Sequence, residues 1–86
     1  MATVEMDFLL GKLEERKRRL ETAITLTPDD AKVTALLREV DSALDRFAAG
    51  TYGVCEACGD DISPNRLKAI PWARYCVFCQ ELRSRN

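Results

Sequence analysis

The stretch CEACGDDISPNRLKAIPWARYCVFC, from Cys55 to Cys79, contains all four cysteines of the chain as two CxxC pairs. Cys58 and Cys76 are separated by 17 residues, a spacing typical of four-cysteine zinc sites. Two such pairs facing each other supply the tetrahedral thiolates that Zn²⁺ takes in closed structural sites. Because the chain has no histidine, all four ligands must be sulfur. We therefore predict one structural zinc ion, bound by Cys55, Cys58, Cys76 and Cys79.

Two other chemistries use cysteines at CxxC spacing. Disulfides or redox pairs need an oxidising compartment or a thioredoxin-like strand-helix setting, and nothing in the sequence supports either. Iron–sulfur clusters also take four thiolates, but their cysteine runs are spaced differently. The spacing therefore favours a structural zinc site over both.

Size and charge limit the classes of protein to which the chain can belong. It has 86 residues, short enough that a bound metal can be a main source of stability. The formal net charge of -1 argues against a protein that coats nucleic acid, which needs surplus positive charge. We see no signal-peptide pattern and no apolar run of membrane-spanning length. We expect a cytoplasmic protein with reduced, metal-bound cysteines and no membrane partner.

The residues before the cysteines have helical periodicity. Apolar residues recur every three or four positions from about Thr3 to Thr25, which predicts an amphipathic helix. A second run, with spacing 4,3,4,3, predicts a coiled-coil-like seam made of Val33, Leu37, Val40, Leu44 and Phe47. Gly50 suits the position just after the end of this second helix.

The segment TLTPDD, residues 25–30, separates the two helices. Thr27 suits the N-cap of the second helix and Pro28 its first position, and the two following acids suit its positive end. Two helices joined by so short a turn must be antiparallel neighbours. We predict a helical hairpin over 1–50, with its tip at 25–31.

Residues 51–86 predict a small four-cysteine module with a C-terminal helix. Gly53 and Gly59 permit the backbone conformations that tight turns at the cysteines need. Ser63 and Pro64 open a short helix, and four apolar residues can pack around the metal: Ile62, Leu67, Ile70 and Leu82. The predicted fold class is mainly α, an antiparallel coiled-coil-like hairpin attached to a four-cysteine zinc-finger module.

Two charged segments are candidates for function. Asp29 and Asp30 place carboxylates at the end of a protruding hairpin, although helix capping explains the TPDD pattern by itself. The basic run of residues 16–19 can contact phosphate or an acidic surface, although a solvated helix face is the simpler interpretation. With no histidine and a full metal site, no catalytic group is identifiable. We expect the protein not to be an enzyme.

The segment from Ala43 to Cys79 resembles the DksA/TraR zinc-finger family. It carries GTYG before the first cysteine pair, G-x-x-I after it, and R-L-x-A-x-P from Arg66 to Pro71. The resemblance implies a monomeric regulator that binds RNA polymerase directly, without sequence-specific DNA binding. It implies a zinc end at the rim of the polymerase secondary channel and an acidic tip near the active centre. Altered open-complex stability then inhibits rRNA-type promoters and activates some biosynthetic promoters.

The resemblance also implies roles for individual residues. The family tip motif D-x-x-D-x-A is matched in its second half by Asp29, Asp30 and Ala31, while Leu26 stands in place of the first acid. The implied contacts with the polymerase rim are Arg66, Lys32 and Arg38.

The signalling nucleotide ppGpp binds long family members through basic residues. Ile70 and Gln80 occupy two of those positions in this chain, and a third falls near Glu39. We therefore expect weak or absent ppGpp dependence, as in the short TraR-like members.

Two further functions remain open from the sequence. A zinc-ribbon module that binds nucleic acid would use residues 16–19 with Arg66, Lys68 and Arg74. A thiol redox sensor would release its zinc when the cysteines are oxidised.

Overall fold

The computed structural model describes residues 3–84, with side chains from Met6 onward. These residues form four helices: α1 (Thr3–Leu26), α2 (Ala31–Ala49), α3 (Pro64–Ala69) and α4 (Val77–Ser84). The described part has one isolated β-bridge, Val54 with Asp61, and no strand, so the predicted mainly α class is confirmed. The outermost residues of the predicted units, 1–2 and 85–86, lie outside the described residues. The division into 1–50 and 51–86 stays a prediction.

Helices α1 and α2 pack against each other as an antiparallel hairpin. Its core consists of the leucine stripe of α1 and of Val40 and Ala43 from α2. The apolar stripe of α1 lapses near Lys17, and there the Lys17 ammonium forms a salt bridge of 3.0 Å with Asp41 of α2. Within residues 3–84, neither hairpin helix nor any other is long and apolar enough to cross a membrane.

The N-cap of α2 is Asp30, and the prediction of Thr27 is wrong. Asp30 Oδ1 accepts hydrogen bonds from the amides of Lys32 and Val33, at 3.0 and 3.3 Å. The Thr27 amide and hydroxyl both donate to the Ala23 carbonyl, each at 2.8 Å. The last turn of α1 therefore binds Thr27, and α2 begins at Ala31 and not, as predicted, at Pro28.

The predicted end of α2 and the predicted start of α3 are confirmed. Gly50 follows α2 with φ +78°, and its amide donates to carbonyls of the last turn of that helix. Only glycine adopts this left-handed conformation without strain. Ser63 Oγ accepts from the Arg66 amide at 3.2 Å, and Pro64 is the first residue of α3.

The module and the hairpin share one apolar core. Tyr52 stacks on Phe47 of α2 with ring centroids 3.9 Å apart, and its hydroxyl donates to the Pro71 carbonyl at 2.8 Å. Burial raises the pKa of Tyr52 to about 12, although Arg46 opposes the shift. Ile62 and Leu67 are buried as predicted and Ile70 is half-buried, but Leu82 is 47% exposed because α4 turns Cys79 toward the core instead.

Arg46, in the last turn of α2, is the one charged residue among the described buried side chains. Its guanidinium donates to Ser42 Oγ at 2.9 Å and to the carbonyls of Trp72 and Ala73, each at 3.4 Å. The Glu56 carboxylate lies 3.6 Å away. Burial lowers the pKa of Arg46, and Glu56 opposes that shift. One side chain thus connects the hairpin to the loop between the cysteine pairs.

We predict that Arg46→Gln lowers the free energy of unfolding of the zinc-loaded protein by about 2 to 3 kcal/mol. The substitution removes the donors that satisfy two backbone carbonyls and leaves Glu56 without this cation. Urea denaturation followed by circular dichroism measures the change. Arg18→Gln, an exposed substitution on α1, is the control and should change stability by less than about 0.5 kcal/mol. Equal stability of the two variants would contradict this role of Arg46.

Candidate functional site

The sulfur atoms of Cys55, Cys58, Cys76 and Cys79 lie within 4.8 Å of one another. The Cys58 and Cys76 sulfurs are 3.8 Å apart. A tetrahedral zinc ion with Zn–S bonds of about 2.3 Å separates its sulfurs by about 3.8 Å. The sulfur positions therefore fit one zinc ion.

Each cysteine pair is positioned by a different local structure. In the first pair, the Cys55 amide donates to the Asp60 carbonyl at 2.8 Å, and the Gly59 amide donates to the Cys55 carbonyl at 3.0 Å. Gly59 has φ +80°, which lets the chain turn back within this short loop. In the second pair, Cys76 precedes α4 and Cys79 lies in its first turn, where the helix dipole favours thiolates.

The two pairs are also joined to each other. The Glu56 amide, inside the first pair, donates to the Arg74 carbonyl just before the second pair, at 2.9 Å. Arg74 in turn forms salt bridges with Glu56 and with Glu39 of α2. The hydrogen bond with Glu39 raises the pKa of Arg74. Backbone and side-chain bonds thus hold the two halves of the sulfur cage together.

Two of the thiols have pKa values shifted in opposite directions. Burial raises the pKa of Cys79 to about 12, and the neighbouring thiols reinforce the shift. Burial also opposes ionisation of Cys55, but backbone hydrogen bonds from Cys76, Cys58 and Ala57 outweigh it and lower its pKa to about 6. Four adjacent thiolates need a cation to offset their mutual repulsion. The donor set therefore suits one Zn²⁺, which it coordinates fully, with no position for a substrate.

The acidic turn lies at the far end of the hairpin from the metal site. Helix α2 runs between the turn and the metal module, and its 19 residues span roughly 28 Å. Asp29 is exposed and makes no hydrogen bond or salt bridge to the described residues, whereas Asp30 caps α2 and Ala31 begins it. Leu26 is 77% exposed at the same turn. Capping therefore accounts for Asp30 but leaves Asp29 unexplained.

The basic residues proposed for the rim occupy two elements. Lys32 and Arg38 are exposed on α2. Arg66, in α3, is half-buried and donates through Nε to the Tyr75 carbonyl at 2.9 Å. Only Arg66 lies in the cleft next to the metal module.

That cleft has a volume of about 460 Å³. Its lining includes Glu39, Ile70 and Gln80, the positions that the family resemblance aligns with the basic ppGpp-binding residues of long members. Arg74 also lines it. Because Arg74 is paired with two carboxylates, its charge is largely neutralised there.

Sequence comparison matches residues 50–85 to the prokaryotic dksA/traR C4-type zinc finger. A protein of Aquifex aeolicus is 57% identical over 47 residues, which are 55% of this chain and 32% of that protein. The RNA polymerase-binding transcription factor DksA of Caulobacter vibrioides is 42% identical over 51 residues, which are 59% of this chain and 36% of that protein. The matched segment thus spans about a third of the length of these curated relatives.

Structure comparison extends the likeness to the hairpin. The RNA polymerase binding protein and transcriptional regulator Dks from Chlamydia trachomatis superposes on this chain with a TM-score of 0.82 and 30% sequence identity. The superposition covers 99% of this chain and 93% of that one. The similarity therefore includes both the cysteine module and the helices before it.

We predict one zinc ion per wild-type chain, measured by mass spectrometry of the purified protein's metal content. Cys58→Ser should lose most of the zinc, because a hydroxyl is a poor substitute for a thiolate ligand. Ser63→Ala is the control, since it removes a helix cap from the same module and should retain the metal. Full zinc content in Cys58→Ser would contradict the assignment of this ligand.

Proposed function

Because this chain belongs to the DksA/TraR zinc-finger family, we propose that it binds RNA polymerase directly and regulates transcription without acting as an enzyme. The observation that carries the proposal is the likeness of nearly the whole chain to a solved RNA polymerase binding protein. A regulator of this kind works in the cytoplasm, where its polymerase is. It acts as a monomer and needs no sequence-specific contact with DNA.

In this proposal, the hairpin enters the secondary channel of the polymerase while the zinc module stays at the rim. The length of α2, roughly 28 Å, and the acidic turn at its end support this orientation. Arg66, Lys32 and Arg38 contact the rim. The tip changes the stability of the open complex, so rRNA-type promoters are inhibited and some biosynthetic promoters activated.

We assign the acid that acts at the active centre to Asp29. The Asp30 carboxylate is occupied by two backbone amides of α2, which fix the shape of the turn. The Asp29 carboxylate is exposed at the same turn and makes no hydrogen bond or salt bridge to the described residues. Asp30 therefore positions the tip, and Asp29 presents its charge to the partner.

The electrostatics of the cleft near the metal support weak or absent ppGpp dependence. A nucleotide with several phosphates needs uncompensated cations. In this cleft, Ile70 and Gln80 are uncharged, and Glu39 pairs with Arg74. Arg66 is the one cation of this lining without a salt bridge among the described residues, so the cleft offers a ligand with several phosphates a single unpaired charge.

The pairing of basic residues disfavours the zinc-ribbon alternative. Three of the seven basic residues that this alternative would use are already paired: Lys17 with Asp41, Arg19 with Glu15, and Arg74 with two acids. Charges already neutralised within the protein release few counterions on binding phosphates. The redox-sensor alternative stays a prediction.

We predict that Asp29→Asn weakens inhibition at an unstable ribosomal promoter by about tenfold, the effect of losing one charged hydrogen bond. The measurement is transcription in vitro over a range of protein concentrations, with polymerase binding measured in parallel and expected to be retained. Asp30→Asn is the control, because it removes the same charge and Asn is an equally good N-cap. If Asp29→Asn inhibits as strongly as wild type, Asp29 is not the acting acid.

We predict little change in the wild-type effect when saturating ppGpp is added to the same assay. The double substitution Ile70→Arg and Gln80→Lys should increase the response to ppGpp, because it adds two unpaired cations to the cleft. Strong synergy between ppGpp and the wild-type protein would contradict the proposal that this cleft has too few unpaired cations to bind the nucleotide.

A further inference from the structure

A second cleft lies between α1 and the loop that precedes the second cysteine pair. Its volume is about 190 Å³. It is lined by Lys12, Glu15, Arg16, Arg19, Ala69, Pro71 and Trp72. Three of these seven residues are cations and one is an acid, although the chain as a whole has a net charge of -1. The cleft therefore concentrates positive charge.

Two of the cations are held by neutral groups. The Arg16 guanidinium lies over the Trp72 ring, 5.3 Å from its centroid. The Lys12 ammonium donates to the Lys68 carbonyl at 3.1 Å and lies 5.4 Å from the centroid of the Phe8 ring. Among the described carboxylates, none lies within salt-bridge distance of either cation. Neutral groups thus hold both cations in place, and no described carboxylate pairs with either.

The hydrogen-bonding capacity of Arg16 is available to a ligand. Its guanidinium contacts the Trp72 ring and makes no hydrogen bond or salt bridge to the described residues, so its planar fork of N–H donors is unoccupied. Such a fork binds a carboxylate or phosphate in bidentate fashion. Because Trp72 already restrains the side chain, a ligand loses less conformational entropy on binding than it would with a free arginine.

The neighbouring residues extend this site along α1. Lys12 and Arg19 lie four residues before and three residues after Arg16, so all three are on one helix face. Arg19 is bonded to Glu15 at 2.7 Å, and their side chains are 71% and 54% exposed. An exposed pair of this kind contributes little free energy. An incoming carboxylate can therefore replace Glu15 as the partner of Arg19.

The size and charge of the cleft decide between kinds of ligand. Sites for whole small molecules usually enclose about 300 to 1,000 Å³, more than this cleft offers. It suits one or two side chains presented by a larger partner. A nucleic-acid backbone is disfavoured, because it needs a run of cations along successive phosphates and this cleft offers only three, in a chain with a net charge of -1.

We propose that this cleft is a docking site for an acidic segment of a protein partner, with Arg16 as its central contact and Lys12 and Arg19 on either side. The proposal rests on the cleft itself and does not require that the partner be RNA polymerase. It gives this chain an interaction surface that is separate from the tip of the hairpin.

Trp72 is the only tryptophan in the chain, so its fluorescence reports on this cleft directly. The test is a titration of the zinc-loaded protein with a synthetic peptide of alternating Glu and Asp residues. We expect a saturable change in Trp72 fluorescence, and no such change with the corresponding peptide of Gln and Asn. Arg16→Gln should weaken binding about tenfold, the effect of losing a charged hydrogen bond.

Two further variants separate a docking site from general charge attraction. Arg18→Gln removes the same charge from an exposed position outside the cleft and should leave binding within about twofold of wild type. Glu15→Gln should strengthen binding a few-fold, because it frees Arg19 and removes a repulsive charge; a misfolded protein does not produce such a gain.

Three results would overturn the proposal. The first is the absence of a saturable fluorescence change with the acidic peptide. The second is an equal loss of binding in Arg16→Gln and Arg18→Gln, which would indicate only nonspecific attraction. The third is tighter binding of a single-stranded oligonucleotide of the same charge, which would assign the cleft to nucleic acid.

Discussion

The buried guanidinium of Arg46 is the contact on which the arrangement of this molecule depends. It belongs to the last turn of α2, but its acceptors are the carbonyls of Trp72 and Ala73, in the loop between the cysteine pairs. A buried cation without such partners is strongly destabilising. Because the metal site closes that loop, the direction in which α2 leaves the module depends on the metal site being formed. Arg46 shares this task with the Tyr52–Phe47 stack and the Glu39–Arg74 salt bridge, which also join α2 to the module.

The two ends of the molecule therefore have different roles. At the base, four sulfur ligands suffice for tetrahedral zinc, and Arg46 and the Arg74 salt bridges connect the metal module to α2. At the tip, Asp30 is committed to capping, and Asp29 is left exposed. A rigid base allows a short hairpin to present that acid in a defined direction. The basic cleft beside Trp72 adds a contact near the base, so a partner can be engaged at two places.

Local patterns in the sequence were sufficient to predict the metal ligands, the helices and the glycine that ends α2. Residue spacing determines these features, and spacing is visible in a sequence. Arg46 was missed because apolar periodicity does not mark a charged residue as buried. Thr27 was predicted as the cap because both it and Asp30 can cap, and the choice depends on where α1 ends. The contact of Arg16 with Trp72 joins residues distant in the chain, so only the tertiary structure reveals it.

We infer that the hairpin and the zinc module form one rigid body in the metal-loaded protein. Residual dipolar couplings of backbone amides, measured by NMR on the weakly aligned wild-type protein, test this most directly. If the two parts are rigidly joined, one alignment tensor fits the couplings of α1 and α2 together with those of α3 and α4. Two tensors of clearly different magnitude, one for the hairpin and one for the module, would contradict it.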